Sequence, residues 1–518
     1  MKKIKNIITG FVISLGLFSC NDLVEFERDF IITGDAIQSV VELERLVLGT
    51  YNSLNAYRSI MDFNSIGSDE VRIGLGNRGQ GLQTHAFILT TNDALADFIW
   101  DSSYDVLDNV NRNLDFADIV PTEGSADIDL VNQLRGELLG IRAWQHFDLL
   151  RMYAPTFDNN SPGVPLANRV FIIGEDDFNV PRNTVGEVLE QINADIEEAL
   201  TLLPETGDVR RLNATAIRAL QARIAIYTGD YTTAISAATS VIDAVPLSDP
   251  TEYIDMFRDV DSEGAAVDVV GETIFELDRD QFDVPRVGTI WSDINLDVFF
   301  SMSVDLFDEV SENGDDDPRF LTNFDLEDVI TERTIPFVND TIFVLDDEGE
   351  LTDEIEEINP IIDSITGESD VIVGKYLGSP EAPALDNIII FRSSEMWLIR
   401  AEANARLNNL PEARDDILNL REVRNSLVQT PVYSDQNDAL TDILAERRVE
   451  LAFEGHRLLD LKRFGLGIDR IEPDCSGDGR QPTTCVLQAG SFRFTLPIPQ
   501  DEIFANDGIS SEDQNPGY

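Results

Sequence analysis

Positive charge is what this 518-residue chain most lacks: 38 Lys and Arg stand against 96 Asp and Glu, a net of −58. Only five of the cations are lysines, Lys2, Lys3, Lys5, Lys375 and Lys462. The deficit excludes non-specific binding to nucleic acid, which needs clustered cations on phosphates. It also excludes adsorption to anionic lipid through a basic face. Histidine is nearly absent, and His85, His146 and His456 lie far apart. Past residue 20 no window holds 18 consecutive apolar residues, so no spanning helix is expected there. No P-loop, nucleophile elbow or zinc motif occurs. What is present is 43% hydrophobic and 8% aromatic residues, enough for a large core without metal or disulfide support. At roughly 150 residues per domain, the length allows about three domains or one large one.

The first residues read as an address. Lys2, Lys3 and Lys5 precede an apolar run, Ile7 to Phe18, too short for the about 20 residues a bilayer needs. The segment closes on Leu17-Phe18-Ser19-Cys20, which resembles the lipobox of bacterial lipoproteins and implies a signal peptide over 1–19 with lipidation at Cys20. That leaves Cys475 and Cys485, which bracket a Gly/Pro-containing polar loop and in an oxidising compartment read as a local disulfide. A metal site is the alternative, but no His or third Cys is near.

Apolar periodicity predicts a mainly α-helical protein. Helices are expected near 36–54, 98–117, 128–153 and 185–203. Residues 59–92 contain five glycines and read as a long loop, the kind of segment in which binding residues collect. Two helix pairs share one pattern. Gly229-Asp230-Tyr231-Thr232-Thr233-Ala234 aligns with Asn408-Asn409-Leu410-Pro411-Glu412-Ala413, as in tetratricopeptide repeats, and two such pairs need a larger helical scaffold around them. The stretch 259–370 is acid-rich, with short β-like pieces at Thr273 to Leu277 and Thr341 to Leu345, and reads as an irregular insertion. The organisation expected is a helical region over 20–245, containing the segment 59–92, and a second region over 246–518, containing the insertion.

Several linked motifs carry a resemblance. They are Leu134 to Tyr153, Asp316-Asp-Pro-Arg319, Lys375-Tyr376, Ile390 to Ala403, Glu446 to Arg463, Leu496-Pro-Ile-Pro-Gln500 and Gln514-Asn-Pro-Gly-Tyr518. Together, in this order, they resemble the SusD/RagB family of Bacteroidetes outer-membrane nutrient-binding lipoproteins. The resemblance implies a tetratricopeptide-like scaffold with irregular loops, no enzymatic activity and no cofactor. It also implies a lipid anchor on the cell surface and a SusC-like TonB-dependent transporter as partner. The expected ligand is an oligosaccharide; a peptide, as in RagB-like caps, is the alternative, and a surface glycosidase a more remote one.

As chemistry the motifs are mostly structural. Glu446, Glu450, Glu454, His456 and Asp460 share helical spacing, but a leucine stripe (Leu444, Leu451, Leu458, Leu461) and interleaved arginines favour core packing and ion pairs over catalysis. With 96 acids, carboxylate pairs carry no glycosidase signal. Calcium is compatible with so acidic a chain, yet no EF-hand pattern completes, so no site is located. Sugar recognition needs an aromatic face and planar polar groups. The family draws contacts from an N-terminal loop and a mid-chain region, which by position points to Arg72, Asn77, Arg78 and His85, and to Phe282 and Trp291. Trp291 reads equally well as a binding or a packing residue.

Overall fold

The computed structural model describes residues 37–171, 179–257, 270–279, 285–293, 297–314, 317–323, 341–345, 351–357, 370–379, 382–427, 430–475 and 484–518. The leader and Cys20 lie outside these residues, as does Phe282. In chain order the main elements are α1 (Val40–Asn52), α2 (Ala56–Ile66), β1 (Val71–Ile73), α3 (Ala94–Ile119), α4 (Ser125–Tyr153), α5 (Val185–Leu202), α6 (Ala214–Thr228) and α7 (Tyr231–Ala244). They continue with β2 (Thr273–Leu277), β3 (Phe300–Met302), α8 (Val304–Ser311), β4 (Thr341–Leu345), β5 (Leu351–Glu357), β6 (Ile388–Arg392), α9 (Ser393–Arg406), α10 (Leu410–Val423), α11 (Gln436–Glu450) and α12 (Arg457–Phe464). Among the described residues every sheet has only two strands; β1 pairs antiparallel with β3, β2 with β6 and β4 with β5. The protein is mainly helical, as its periodicity predicts.

Local chemistry sets the helix ends. Ser39 and Glu42 form a capping box on α1, and Thr184 and Glu187 form another on α5. Asp230 caps α7 through the Thr233 amide. The shared pattern of the two helix pairs is a shared turn: Gly229 has φ 77° and its counterpart Asn408 has φ 62°, and Gly and Asn are the residues that tolerate this left-handed geometry. The pairs α6–α7 and α9–α10 stack on each other through α7 and α9. With α4–α5 before them and α11–α12 after, they form a helical-repeat scaffold.

One expectation changes. The segment 59–92 begins in α2, not in a loop, because Tyr57, Ile60, Met61 and Asn64 fall on one buried face of a helix. The glycines start only at Gly67, after the helix has ended.

Helix α4 is buried over nearly all of its last 20 residues, so its polar groups need internal partners. Arg142 makes two bonds to Asp195 (2.6 and 2.9 Å), Glu137 pairs with Arg211, and Arg151 with Asp148. His146 Nδ1 lies 3.0 Å from the Arg142 carbonyl, and burial pushes its pKa down to about 4. The C-terminal carbonyls of α4, left without helical partners, are reached by distant chain. Leu496 N donates to Met152 (2.8 Å), Asn515 Nδ2 and Arg182 Nη2 to Tyr153 (2.8 and 2.9 Å), and Lys462 Nζ to Ala154 (2.9 Å).

The other motifs meet in a second buried cluster. Arg319 donates to Asp317, Glu446 and Glu450. Arg392 reaches Glu272 (2.9 Å), Glu450 (2.6 Å) and Glu454 (2.8 Å). Arg424 joins Glu272 (2.7 Å) to Glu450 (3.0 Å), Arg421 binds Glu446 (2.5 Å), and Lys375 Nζ binds Glu454 (2.7 Å). Five cations thus face the five buried carboxylates of Asp317, Glu272, Glu446, Glu450 and Glu454. Burial pushes the Glu450 carboxyl up, but Arg424, Arg392 and Arg319 outweigh it and hold it well below the usual range.

Two outcomes follow. Gly229→Ala meets nothing closer than the Tyr231 hydroxyl at 3.8 Å, so chemical denaturation should show only the backbone cost, about 1–2 kcal/mol. Glu450→Gln leaves three buried guanidiniums under-compensated and should cost about 3–5 kcal/mol in the same assay.

Candidate functional site

The antiparallel pairing of β1 with β3, Val71 opposite Met302, brings the N-terminal glycine-rich segment against the mid-chain. Gly74 N donates to Phe299 O (2.9 Å) and Asn77 Nδ2 to the same carbonyl (3.0 Å). The two regions that the resemblance implicates are therefore neighbours, but most of the named side chains are packed. Trp291 is 2% exposed; its ring stacks on Tyr376 at 5.5 Å and its indole N–H donates to Ser65 Oγ (3.1 Å). His85 is fully buried, lies over Phe300 at 6.0 Å, and is held well below its ordinary pKa by burial and by Arg470. Arg72 is buried beside Ser301, and Asn77 closes its own turn by accepting from Gly79 N (2.8 Å) and donating to Gln80 O (3.0 Å). Of the six, Arg78 alone is described at the surface, where it pairs with Asp297 at 2.5 Å.

The open space lies next door. A cavity of about 550 Å³ is lined by residues from four stretches of chain, among them Arg58, Ser59, Phe98, Arg279, Arg286 and Asp386. Helix α2 supplies Arg58, whose Nε donates to Arg286 O and whose Nη2 donates to Thr289 Oγ1, both at 3.1 Å. That arginine ties the N-terminal helix to the mid-chain wall. Helix α3 supplies Phe98, 43% exposed. Arg279 and Arg286 are themselves held by carbonyls, of Leu54 (2.7 Å) and Pro383 (2.7 Å) respectively. An exposed aromatic beside oriented planar donors can hold a pyranose by its apolar face and its hydroxyls. Sequence reasoning did not single out these residues: Arg58 lies just ahead of the glycines, and Phe98 reads as an ordinary helical residue.

A second cavity, about 360 Å³, lies off the Trp100–Tyr104 side of α3. Trp100 there is 2% exposed, meets Tyr153 edge-on at 4.9 Å, and donates its N–H to Glu502 (3.3 Å). Its ring is thus committed to packing. The Glu446–Arg463 stretch presents no open carboxylate pair either, since Glu446, Glu450 and Glu454 are saturated by buried cations. Cys475 and Cys485 are joined as a disulfide with Cα atoms 5.0 Å apart. Among the described residues no group of three His, Cys, Asp or Glu is placed to hold a metal ion, and no helix is long and apolar enough to cross a membrane.

The fold is a helical-repeat scaffold with a cavity lined from two helices and the mid-chain. The comparisons narrow it. Residues 382–518 match the profile of the SusD family, and residues 35–226 match a profile described as starch-binding associating with outer membrane. SusD-like protein P38 of Formosa agariphila is 27% identical over 91% of this chain and 94% of its own length. A SusD superfamily crystal structure from Bacteroides vulgatus superposes with TM-score 0.73 at 22% identity, covering 93% of this chain and 99% of that one. A SusD-like carbohydrate binding protein from the same species gives TM-score 0.68 at 18% identity, covering 92% and 98%. The chain belongs to the SusD family.

One buried acid next to β1 has a mismatched environment. Glu70, at the start of β1, accepts from Phe453 N (3.2 Å) through Oε1 and has no partner at Oε2. Burial, with Asp69 adding, pushes its pKa up to about 8. A carboxyl raised in the folded state costs stability as pH climbs from its unfolded value, about 4.3, through 8. Glu70→Gln should therefore raise stability by about 1–3 kcal/mol at pH 8 and little at pH 5, read by thermal melts at both pH values.

Proposed function

We propose that this protein is a non-enzymatic surface lipoprotein, anchored through Cys20, that captures an oligosaccharide and hands it to a SusC-like TonB-dependent transporter. The observation that carries the reading is the cavity itself. Its aromatic platform, Phe98, and its planar donors, Arg58 and Arg286, come from the N-terminal and mid-chain regions together. The family's outer-membrane description and the carbohydrate-binding neighbour support it. Arg78, at the mouth of the adjoining turn, is placed to extend the contact surface.

The test is a glycan screen by affinity electrophoresis and calorimetry on protein starting at Asn21. Binding of one glycan without shortening of its chain is expected, with Phe98→Ala weakening it about tenfold. Chain shortening would overturn the non-enzymatic reading, and binding of peptides but of no glycan would replace the ligand class.

A further inference from the structure

Among the described residues six polar side chains line the cavity: Asn55, Arg58, Ser59, Arg279, Arg286 and Asp386. Five of them are engaged within the protein. Asn55 accepts from Arg279, Arg58 donates to Arg286 O and Thr289 Oγ1, Arg286 donates to Pro383 O, and Asp386 accepts from Gly378 N. Ser59 is the exception. It is only 6% exposed, and among the described residues its hydroxyl has no hydrogen-bond partner, yet its Oγ is not sealed off from the cavity. A serine within a helix can bond back to the carbonyl four residues earlier, as Ser240 does to Ser236 O (3.0 Å) and Ser311 to Phe307 O (2.7 Å). Ser59 makes no such bond to Asn55. The nearby Ser65 and Ser68 are both bonded, one to the Trp291 indole and the other to the Ser65 carbonyl. A largely buried hydroxyl without a protein partner costs free energy until something in the cavity supplies one.

Resting on the capture reading above, we propose that Ser59 is a specificity-determining residue, hydrogen-bonded to one unsubstituted ring hydroxyl of the bound sugar. A serine hydroxyl both donates and accepts, as a sugar hydroxyl does, so the pair forms whichever way the protons point. Ser59 also has a fixed neighbour, because Arg58 beside it is tied to the mid-chain wall. The lining from α3, Ala94, Leu95 and Phe98, is apolar. A pyranose that lays its apolar face on Phe98 carries its hydroxyls at the ring edge, and the serine reads one of them. A deoxy unit leaves Ser59 unpaired. An acylated or methylated unit has lost the donor proton and needs room that a free hydroxyl does not. Discrimination of this kind exceeds what an apolar wall gives, because the wrong unit leaves a buried polar group without a partner.

The test uses protein starting at Asn21 and two readouts. The first is calorimetry with four probes: maltohexaose, laminarihexaose, xylohexaose and mannohexaose. At least one should bind, and Ser59→Ala should weaken it about three- to thirtyfold. Ser59→Thr, which keeps the hydroxyl, should bind more tightly by a similar factor than Ser59→Val, which has the same shape without it. The second readout needs no sugar. Ser59→Cys should react with methyl methanethiosulfonate in the folded protein, where Cys475 and Cys485 are tied in a disulfide, and the probe that binds should block the reaction. Binding that Ser59→Ala leaves unchanged, or equal measurable affinity of Ser59→Thr and Ser59→Val, would overturn the hydroxyl contact and leave glycan capture standing. A folded Ser59→Cys that does not react would overturn the opening of this position onto the cavity. No binding by any probe would overturn the capture reading itself, and the sugar hydroxyl with it.

Discussion

The buried ion cluster around Glu450 is the constraint on which the rest of the structure depends. Its members come from four motifs: Arg319 from the Asp-Pro-Arg turn, Lys375 from the Lys-Tyr pair, Arg392 from the Ile390–Ala403 stretch, and Glu446, Glu450 and Glu454 from the Glu446–Arg463 stretch. None of these charges tolerates burial alone, because the desolvation of a single ion exceeds what packing returns. Together they satisfy one another, so the C-terminal helices, β6 and the mid-chain assemble in one arrangement.

A second knot does the same for the N-terminal half. The end of α4 exposes carbonyls that its own helix does not satisfy, and they are met by Leu496, Asn515, Arg182 and Lys462. The chain's last residues therefore lock onto a helix more than 300 positions earlier. In the first knot the catalytic-looking acids of the Glu446–Arg463 stretch are buried and paired with cations.

This division has a consequence for the cavity. Arg319, Arg392 and Arg424 are spent on internal carboxylates, whereas Arg182 and Arg470, and at the cavity Arg58 and Arg286, are oriented by carbonyls and hydroxyls. A carbonyl fixes a guanidinium's direction without cancelling its charge. The wall thus holds oriented guanidiniums beside the Asp386 carboxylate, a setting in which recognition needs little reorganisation.

Much of the scaffold was legible in the residues. The 3.6-residue stripes gave helices near 36–54, 98–117, 128–153 and 185–203, within a few residues of those observed, and the Gly229 and Asn408 turns gave the stacked pairs, because capping and left-handed turn chemistry act within a few residues. The motifs also determined the family, since their order is a property of the chain alone. What the residues did not decide is which polar groups are spent inside and which are left open. Trp291 and His85 carry the side chains of a binding site, yet they fill the interior. Phe98 and Arg58 look like ordinary helical residues, yet they face the cavity. Local sequence sets helix ends and turns, but exposure and charge compensation are sums over partners hundreds of residues apart, and only the tertiary structure brings those partners together.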